Sequence, residues 1–239
     1  MQTSRKDIHN SDTPKLCQSC EARHQGICGA LTPDQLLMLS KSTRRVSRKA
    51  GEELLADAMP ISSFANVLRG VVKLTKVLED GRQQVVGLQF APDLLGRPFA
   101  AESRVSAEAA SDVDLCLISK PAMEALLQQS APLEHRVMMQ ALRELDEARD
   151  WMVTLGRKTA TEKVASFLYL IATHIDPLEA DASCFELPLS RADIADFLGL
   201  TIETVSRQFT RLKSDGVIEI TNFRQIGIPD LARLRVHCG

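Results

Sequence analysis

Residues 190–216, SRADIADFLGLTIETVSRQFTRLKSDG, constrain this chain more than any other stretch. Ser190, with Asp193 three residues on, caps a short helix that turns Ile194, Ala195 and Leu198 inward. Ala195 leaves room for a crossing helix, and Gly199 permits a sharp turn. Thr201 then caps a second helix with Val205, Phe209 and Leu212 inward, ended by Gly216 at a left-handed cap. Two short helices spaced in this way form a helix-turn-helix, whose second helix is free to enter a major groove; an ordinary helical hairpin is the plainer alternative. The next residues read as a β-hairpin: Val217–Thr221, the turn Asn222-Phe223-Arg224, then Gln225–Ile228. The result is a winged domain.

The outward face of the second helix carries Glu203, Ser206, Arg207 and Arg211. Arg207 can donate a bidentate pair to guanine O6 and N7, and Glu203 can accept from cytosine N4. A carboxylate in the first turn, where it would face phosphate, points to base readout, although compensation of the helix dipole also places acids there. Arg211, Lys213 and Arg224 are candidate phosphate contacts, each equally readable as a solvated surface charge. Residues 157–239 hold 10 Lys+Arg against 11 Asp+Glu, so this domain is not basic as a whole. Specific binding must then come from a few placed side chains.

The remainder divides by pattern. The chain has 239 residues, 44% hydrophobic, with 29 Lys+Arg against 31 Asp+Glu. That is enough for real cores and excludes a fibrous or disordered chain. The longest largely apolar run, Val164–Ala172, is nine residues, roughly half of the ~20 needed to cross a bilayer. No apolar stretch follows the N-terminal charges, so no secretory signal is expected and the protein is expected in the cytoplasm, without a membrane partner.

Residues 1–30 form a polar arm. A short helix starts at Thr32-Pro33, with Leu36, Leu37 and Leu39 expected inward. Over 31–131 short strands dominate: Glu53–Ala56, Phe64–Leu68, Val71–Leu78, Gln83–Phe90 and Asp112–Ile118, with an Asp80-Gly81 hairpin turn. They predict an antiparallel β-roll or jelly roll, hence an α+β chain. Residues 132–156 form a long helix with Met138, Ala141, Leu145, Ala148, Met152 and Leu155 spaced 3-4-3-4-3. That seam fits a coiled-coil dimer contact or a core helix on its own barrel; the small Ala positions favour a homodimer. Gly156 is expected to close it, and Thr159-x-x-Glu162 to open a helix through Ile175, with a domain boundary at 156–158 before the winged domain of 157–239. Asp176–Glu186 reads as an acidic loop, with an edge strand at Phe185–Leu187.

Six cysteines stand at 17, 20, 28, 116, 184 and 238, three of them within twelve residues. In a reducing compartment such clustering points to metal or redox sensing. Cys17-x2-Cys20-x7-Cys28 with Cys116 makes four thiolates, the ligand count of an iron–sulfur cube or of a structural zinc. From the residues alone the two stand nearly even. No Ser/His or carboxylate constellation accompanies them, which argues against an enzyme. His24, inside the x7 gap, reads as a solvated loop histidine.

Barrel, long helix and winged helix-turn-helix, with Leu200-x-x-Glu203-x-x-Ser206-Arg207 in the reading helix, resemble the CRP/FNR superfamily of bacterial transcription regulators over nearly the whole chain. The resemblance implies a homodimer on a palindrome with half-sites one helical turn apart. Glu203, Ser206 and Arg207 match the FNR branch, which reads sites like TTGAT-N4-ATCAA. The stretch Leu95–Ala101 keeps Gly96 but lacks the Glu and Arg-Ser/Thr of the family's cyclic-nucleotide cassette, although Arg97 and Arg104 offer cations.

The cysteines resemble the FNR cluster in its alphaproteobacterial spacing, which implies that Cys17, Cys20, Cys28 and Cys116 hold [4Fe–4S] and leaves Cys184 and Cys238 as inert thiols. The implied signal is oxygen: loss of the cluster loosens the arm, weakens the dimer and releases DNA. Ala148 falls where the enterobacterial type carries an acidic residue, which implies a stronger intrinsic dimer. The Glu79–Gln84 hairpin is a candidate RNA polymerase contact or a plain turn. The alternative overall is a CRP-like regulator with another small-molecule signal and structural zinc on the cysteines.

Overall fold

The computed structural model describes residues 13–18, 20, 22–174, 184–222 and 224–239. Ile175, most of the expected acidic loop (176–183) and Phe223 at the wing turn lie outside the described residues. Two compact units result. The first runs to Leu74 and resumes over Leu88–Glu144; the second joins Thr75–Gly87 to Leu145–Gly239.

The first unit begins with the arm, in short helical turns α1 (Lys15–Gln18) and α2 (Ala22–Gln25) and a 3-10 turn at Ile27–Ala30, followed by α3 (Pro33–Ser40). Thr32 caps α3 with a full capping box, its Oγ1 accepting from Gln35 N and its N–H donating to Gln35 Oε1. Leu36 and Leu39 are buried, as expected. Leu37 is not: one helical step turns it about 100° from Leu36, and it is 48% exposed.

The strands are β1 (Thr43–Arg48), β2 (Glu53–Leu55), β3 (Ser63–Arg69), β4 (Val71–Val77), β5 (Gln83–Phe90), β6 (Leu94–Leu95), β7 (Ser106–Ala109) and β8 (Val113–Ser119). They form two four-stranded sheets, ordered β1-β8-β3-β6 and β2-β7-β4-β5. The Asp80-Gly81 turn is present, with Gly81 at φ +84° and Leu78 N donating to Arg82 O at 2.8 Å.

Alternation in β3 and β8 splits the β1-β8-β3-β6 sheet into two faces. Ala65, Val67, Val113 and Leu115 point into the roll with Val72, Leu95, Ala107 and Ala109. Phe64 and Ile118 point out, into a second core made by Ile27, Leu31, Leu36 and Leu39 and by Met123, Leu126 and Leu127 of α4 (Lys120–Gln129). The arm therefore does not rely on a bound group alone for its order, since Ile27 is 1% exposed.

The long helix α5 spans Ala131–Arg157. Gly156 does not close it, and the two compact units divide inside it, between Glu144 and Leu145. The Trp151 ring lies 4.4 Å from that of Phe197, packing the end of α5 against α7 of the winged domain. Thr159 and Glu162 form the expected capping box, Thr159 N donating to Glu162 Oε2 at 2.7 Å, and open α6 (Ala160–His174).

In the second unit, α7 (Arg191–Leu198) is boxed by Ser190 and Asp193 and ends at Gly199 with φ +60°. Next comes α8 (Ile202–Ser214), and β9 (Cys184–Glu186), β10 (Glu219–Ile220) and β11 (Gln225–Gly227) pair in the order β10-β11-β9. A short α9 (Leu231–Val236) ends the chain. Ile194, Ala195, Leu198, Val205, Phe209 and Leu212 are all buried, as the sequence pattern predicts. Among the described residues no helix is long and apolar enough to cross a membrane.

Candidate functional site

Glu203, Ser206 and Arg207 lie exposed on α8, on the side away from buried Val205, Phe209 and Leu212. Thr201 fixes the start of the helix by accepting from Thr204 N at 3.2 Å. Arg207 Nη2 donates to Thr204 Oγ1 at 3.0 Å, which orders the guanidinium along the first turn. Glu203 is held below the usual carboxylate range by hydrogen bonds from its own backbone N–H and from Thr201, with the Arg207 charge adding to them. The face is an ionised acceptor one turn from a fork of donors.

The three candidate phosphate residues are exposed but already engaged. Arg211 lies one turn beyond Arg207, reaching Asp215 at 3.9 Å and Thr161 Oγ1 at 3.5 Å. Lys213 Nζ turns back to Ile220 O at 3.3 Å. Arg224, on the wing, pairs with Glu186 at 3.5 Å. The structure thus gathers Glu203, Ser206, Arg207 and Arg211 on one helix face and sets Lys213 and Arg224 against the wing.

The thiols come from separate elements. Cys17 is in α1, Cys20 follows it, Cys28 is in the 3-10 turn and Cys116 is on β8. Burial pushes Cys28 up to about 12, with Cys116, Cys20 and Cys17 raising it further and the Asn66 hydrogen bond opposing. Burial pushes Cys116 up to about 11, with Cys20 and Cys17 adding and Arg45 and Thr43 opposing. Cys17 is raised by burial and Cys20, against Arg23 and Arg45. Each of these three thiols feels charge on other members of the set, so the four share one electrostatic neighbourhood. They are free cysteines, and among the described residues no three His, Cys, Asp or Glu side chains form a group that could hold a metal ion. The thiols are the donors a polythiolate group needs, and Arg23 and Arg45 oppose part of the upward shift, Arg23 at Cys17 and Arg45 at Cys17 and Cys116.

The sheet presents this site as a row. Arg45, Cys116, Asn66 and Leu94 are register partners across β1, β8, β3 and β6, and so share one face. The arm is also tied to α5: Arg136 Nη2 donates to His24 O at 3.0 Å and its Nε to Gly26 O at 3.2 Å. A Cβ on Gly29 would stand 2.7 Å from His24 O and 3.1 Å from Arg136 Nη2, so the approach depends on glycine. His24 itself is exposed, its Nε2 3.1 Å from Arg23 Nη2. Sequence pattern does not single out Arg45, Asn66 or Arg136; only Gly29, directly after a cysteine, leaves a trace.

Cys184 is exposed and Cys238 half-buried, both in the second unit. On α5, Met138, Ala141, Leu145, Ala148 and Met152 are exposed, Met152 by 72%, while Leu155 is half-buried. Met139, Leu142 and Val153 widen this apolar face. Arg97 and Arg104, the cations in and near the Leu95–Ala101 stretch, are exposed. At the hairpin, Gln83 Nε2 donates to Asp196 Oδ2 at 2.7 Å and Gln84 Nε2 to Phe197 O at 3.1 Å.

Roll, long helix and winged helix-turn-helix with an exposed helix face place the chain among DNA-binding transcription regulators. Residues 162–236 match the Crp-like helix-turn-helix domain and residues 45–130 the cyclic nucleotide-binding domain. The chain is 53% identical over 98% of both chains to a probable transcriptional activator of Rhizobium leguminosarum bv. viciae. It is 37% identical to the transcriptional activator protein FnrL of Cereibacter sphaeroides, over 93% of this chain and 92% of that one. The FixK2 structure from Bradyrhizobium japonicum matches with a TM-score of 0.76 at 31% identity, covering 82% of this chain and 98% of that one. The chain belongs to the CRP/FNR family of transcription regulators and is similar to its FNR-type activators.

Proposed function

We propose that this chain is an oxygen-responsive regulator of anaerobic and microaerobic genes. It binds an FNR-box-like palindrome, TTGAT-N4-ATCAA, as a homodimer while Cys17, Cys20, Cys28 and Cys116 hold a [4Fe–4S] cluster. What supports this reading is the cysteine set itself, three thiols on the arm and Cys116 on β8, with Cys28 and Cys116 each feeling the charge of Cys17 and Cys20. When bound, a [4Fe–4S] cluster supplies sensitivity to oxygen, being stable without it and degraded by it.

The chain's own part is to turn arm order into dimer strength. Arg136 holds the arm to the start of α5, two residues before exposed Met138. When the arm leaves, Arg136 loses both carbonyl acceptors and the apolar face beside it loses its anchor. Met138, Ala141, Leu145, Ala148, Met152 and Leu155 supply the seam. Ala148 brings no charge repulsion to it, so the metal-free protein should keep a measurable dimer. A strict monomer at micromolar concentration in the ultracentrifuge refutes that point. At the site, Arg207 reads guanine and Glu203 accepts from cytosine, Ser206 lies between them, and dimerisation doubles the contacts. Arg211, Lys213 and Arg224 take phosphate by exchanging their present partners. The hairpin tip, where Glu79 and the Asp80–Arg82 pair stay exposed, meets RNA polymerase.

Purification without oxygen tests the reading. Brown protein with a broad visible band, iron and sulfide in equal amounts, and binding to the palindrome that is lost in air are expected. Colourless protein holding zinc, with binding indifferent to air, refutes it in favour of a different signal.

A further inference from the structure

In the row across the sheet, Asn66 is the residue that packing does not account for. It is 5% exposed in the middle of β3. Its Nδ2 stands 3.5 Å from Cys28 Sγ, and its Oδ1 has no hydrogen-bond partner among the described residues. An unpaired buried amide oxygen costs the fold its desolvation penalty with no bond to offset it, and strand interiors disfavour Asn. An apolar residue such as the neighbouring Ala65 or Val67 would avoid both penalties. The amide therefore sits there at the expense of the fold, a pattern expected where a residue serves a ligand site.

We propose that Asn66 is the positioning residue of the thiol site: its amide N–H holds the Cys28 sulfur beside Cys116, its register partner, and offsets the negative charge of the ligating sulfur. The proposal rests on the [4Fe–4S] reading above. Hydrogen bonds to the sulfurs of an iron–sulfur site set its potential, and outer partners of metal ligands are worth roughly 10–100-fold in affinity. Arg45, on the other side of Cys116, acts on the same sulfurs through space. Asn66 differs in bonding directly to one.

The test uses full-length wild-type, Asn66→Leu, Asn66→Asp and Asn66→Gln protein, each reconstituted without oxygen from ferrous iron and sulfide. Wild-type protein that takes up no cluster ends the cluster reading itself. With wild type loaded, Asn66→Leu and Asn66→Asp are expected to lose their visible absorbance in air roughly 10-fold faster, with a more negative midpoint potential. Asn66→Gln, which keeps the donor, should recover part of both. Metal-free Asn66→Leu should unfold at the same or a higher temperature than metal-free wild type, because the unpaired oxygen is gone. Equal decay rates and potentials in wild type and Asn66→Leu overturn the proposal. So does a metal-free Asn66→Leu protein destabilised in step with its cluster, which would make Asn66 a packing residue.

Discussion

Glu203, Ser206 and Arg207 project from one 13-residue helix, capped by Thr201 and fixed by a buried stripe of Val205, Phe209 and Leu212. Cys17, Cys20, Cys28 and Cys116 come from short arm turns and a strand on the far side of the sequence, and burial works against the ionised forms of Cys17, Cys28 and Cys116. The first region is finished when its helix folds. On the reading proposed above, the second is completed only by ligation, which must displace protons from thiols that burial raises. On that reading the asymmetry suits a regulator: a preformed reading helix, and a sensor whose assembly depends on conditions.

The largest effect expected is on the incomplete region. Cys116→Ser should abolish the visible absorbance and oxygen-dependent DNA binding, while Cys184→Ser and Cys238→Ser leave both unchanged; anaerobic absorbance and iron content decide. Full cluster content in Cys116→Ser protein would remove β8 from the site. Next comes the finished region. Arg207→Ala should cost roughly 1–3 kcal/mol of binding and relax the preference at one base, with the cluster's lifetime in air unaltered. Competition binding against palindromes changed at single positions measures it, and a uniform loss across all of them would make Arg207 a phosphate contact. Gly29→Ala falls third. Its Cβ would press on His24 O and Arg136 Nη2, and about 2 kcal/mol of the first unit's stability should go. Thermal unfolding and cluster lifetime should fall together; an unchanged lifetime would detach the arm's packing from sensing.

The two regions also differ in how far a reader of the sequence can see them. The helix-turn-helix is local: Ser190, Gly199, Thr201 and Gly216 each announce a cap or turn, and the inward residues follow at helical spacing. In the roll, β1 is TRRVSR with Val46 its one apolar residue, so pattern passes over it, yet it carries Arg45 beside Cys116. Strands β6 and β7 are too short or too rich in small residues to register. The cysteines can be counted from sequence, but their neighbourhood depends on pairing between β1, β3 and β8, which no local signal encodes. Asn66 and Arg136 are invisible for the same reason: one needs its register partner and the other needs the arm. Trp151 meeting Phe197 is likewise a contact between distant segments.

The smallest effect makes the sharpest comparison, because it leaves every functional side chain in place. Ser190 Oγ accepts from Asp193 N at 3.1 Å, and Asp193 Oδ2 accepts from Ser190 N at 3.2 Å. Ser190→Ala removes the first bond and loosens the second, which should cost about 1 kcal/mol. Gly199 joins α7 to α8, so a frayed α7 blurs the angle of the reading helix without touching Glu203 or Arg207. Affinity should therefore fall less than in Arg207→Ala protein and by the same factor on every palindrome. The decay of the visible band in air should match wild type. If the band decays faster, the reading domain and the thiol site are not separately built, and a change in one carries through α5 to the other.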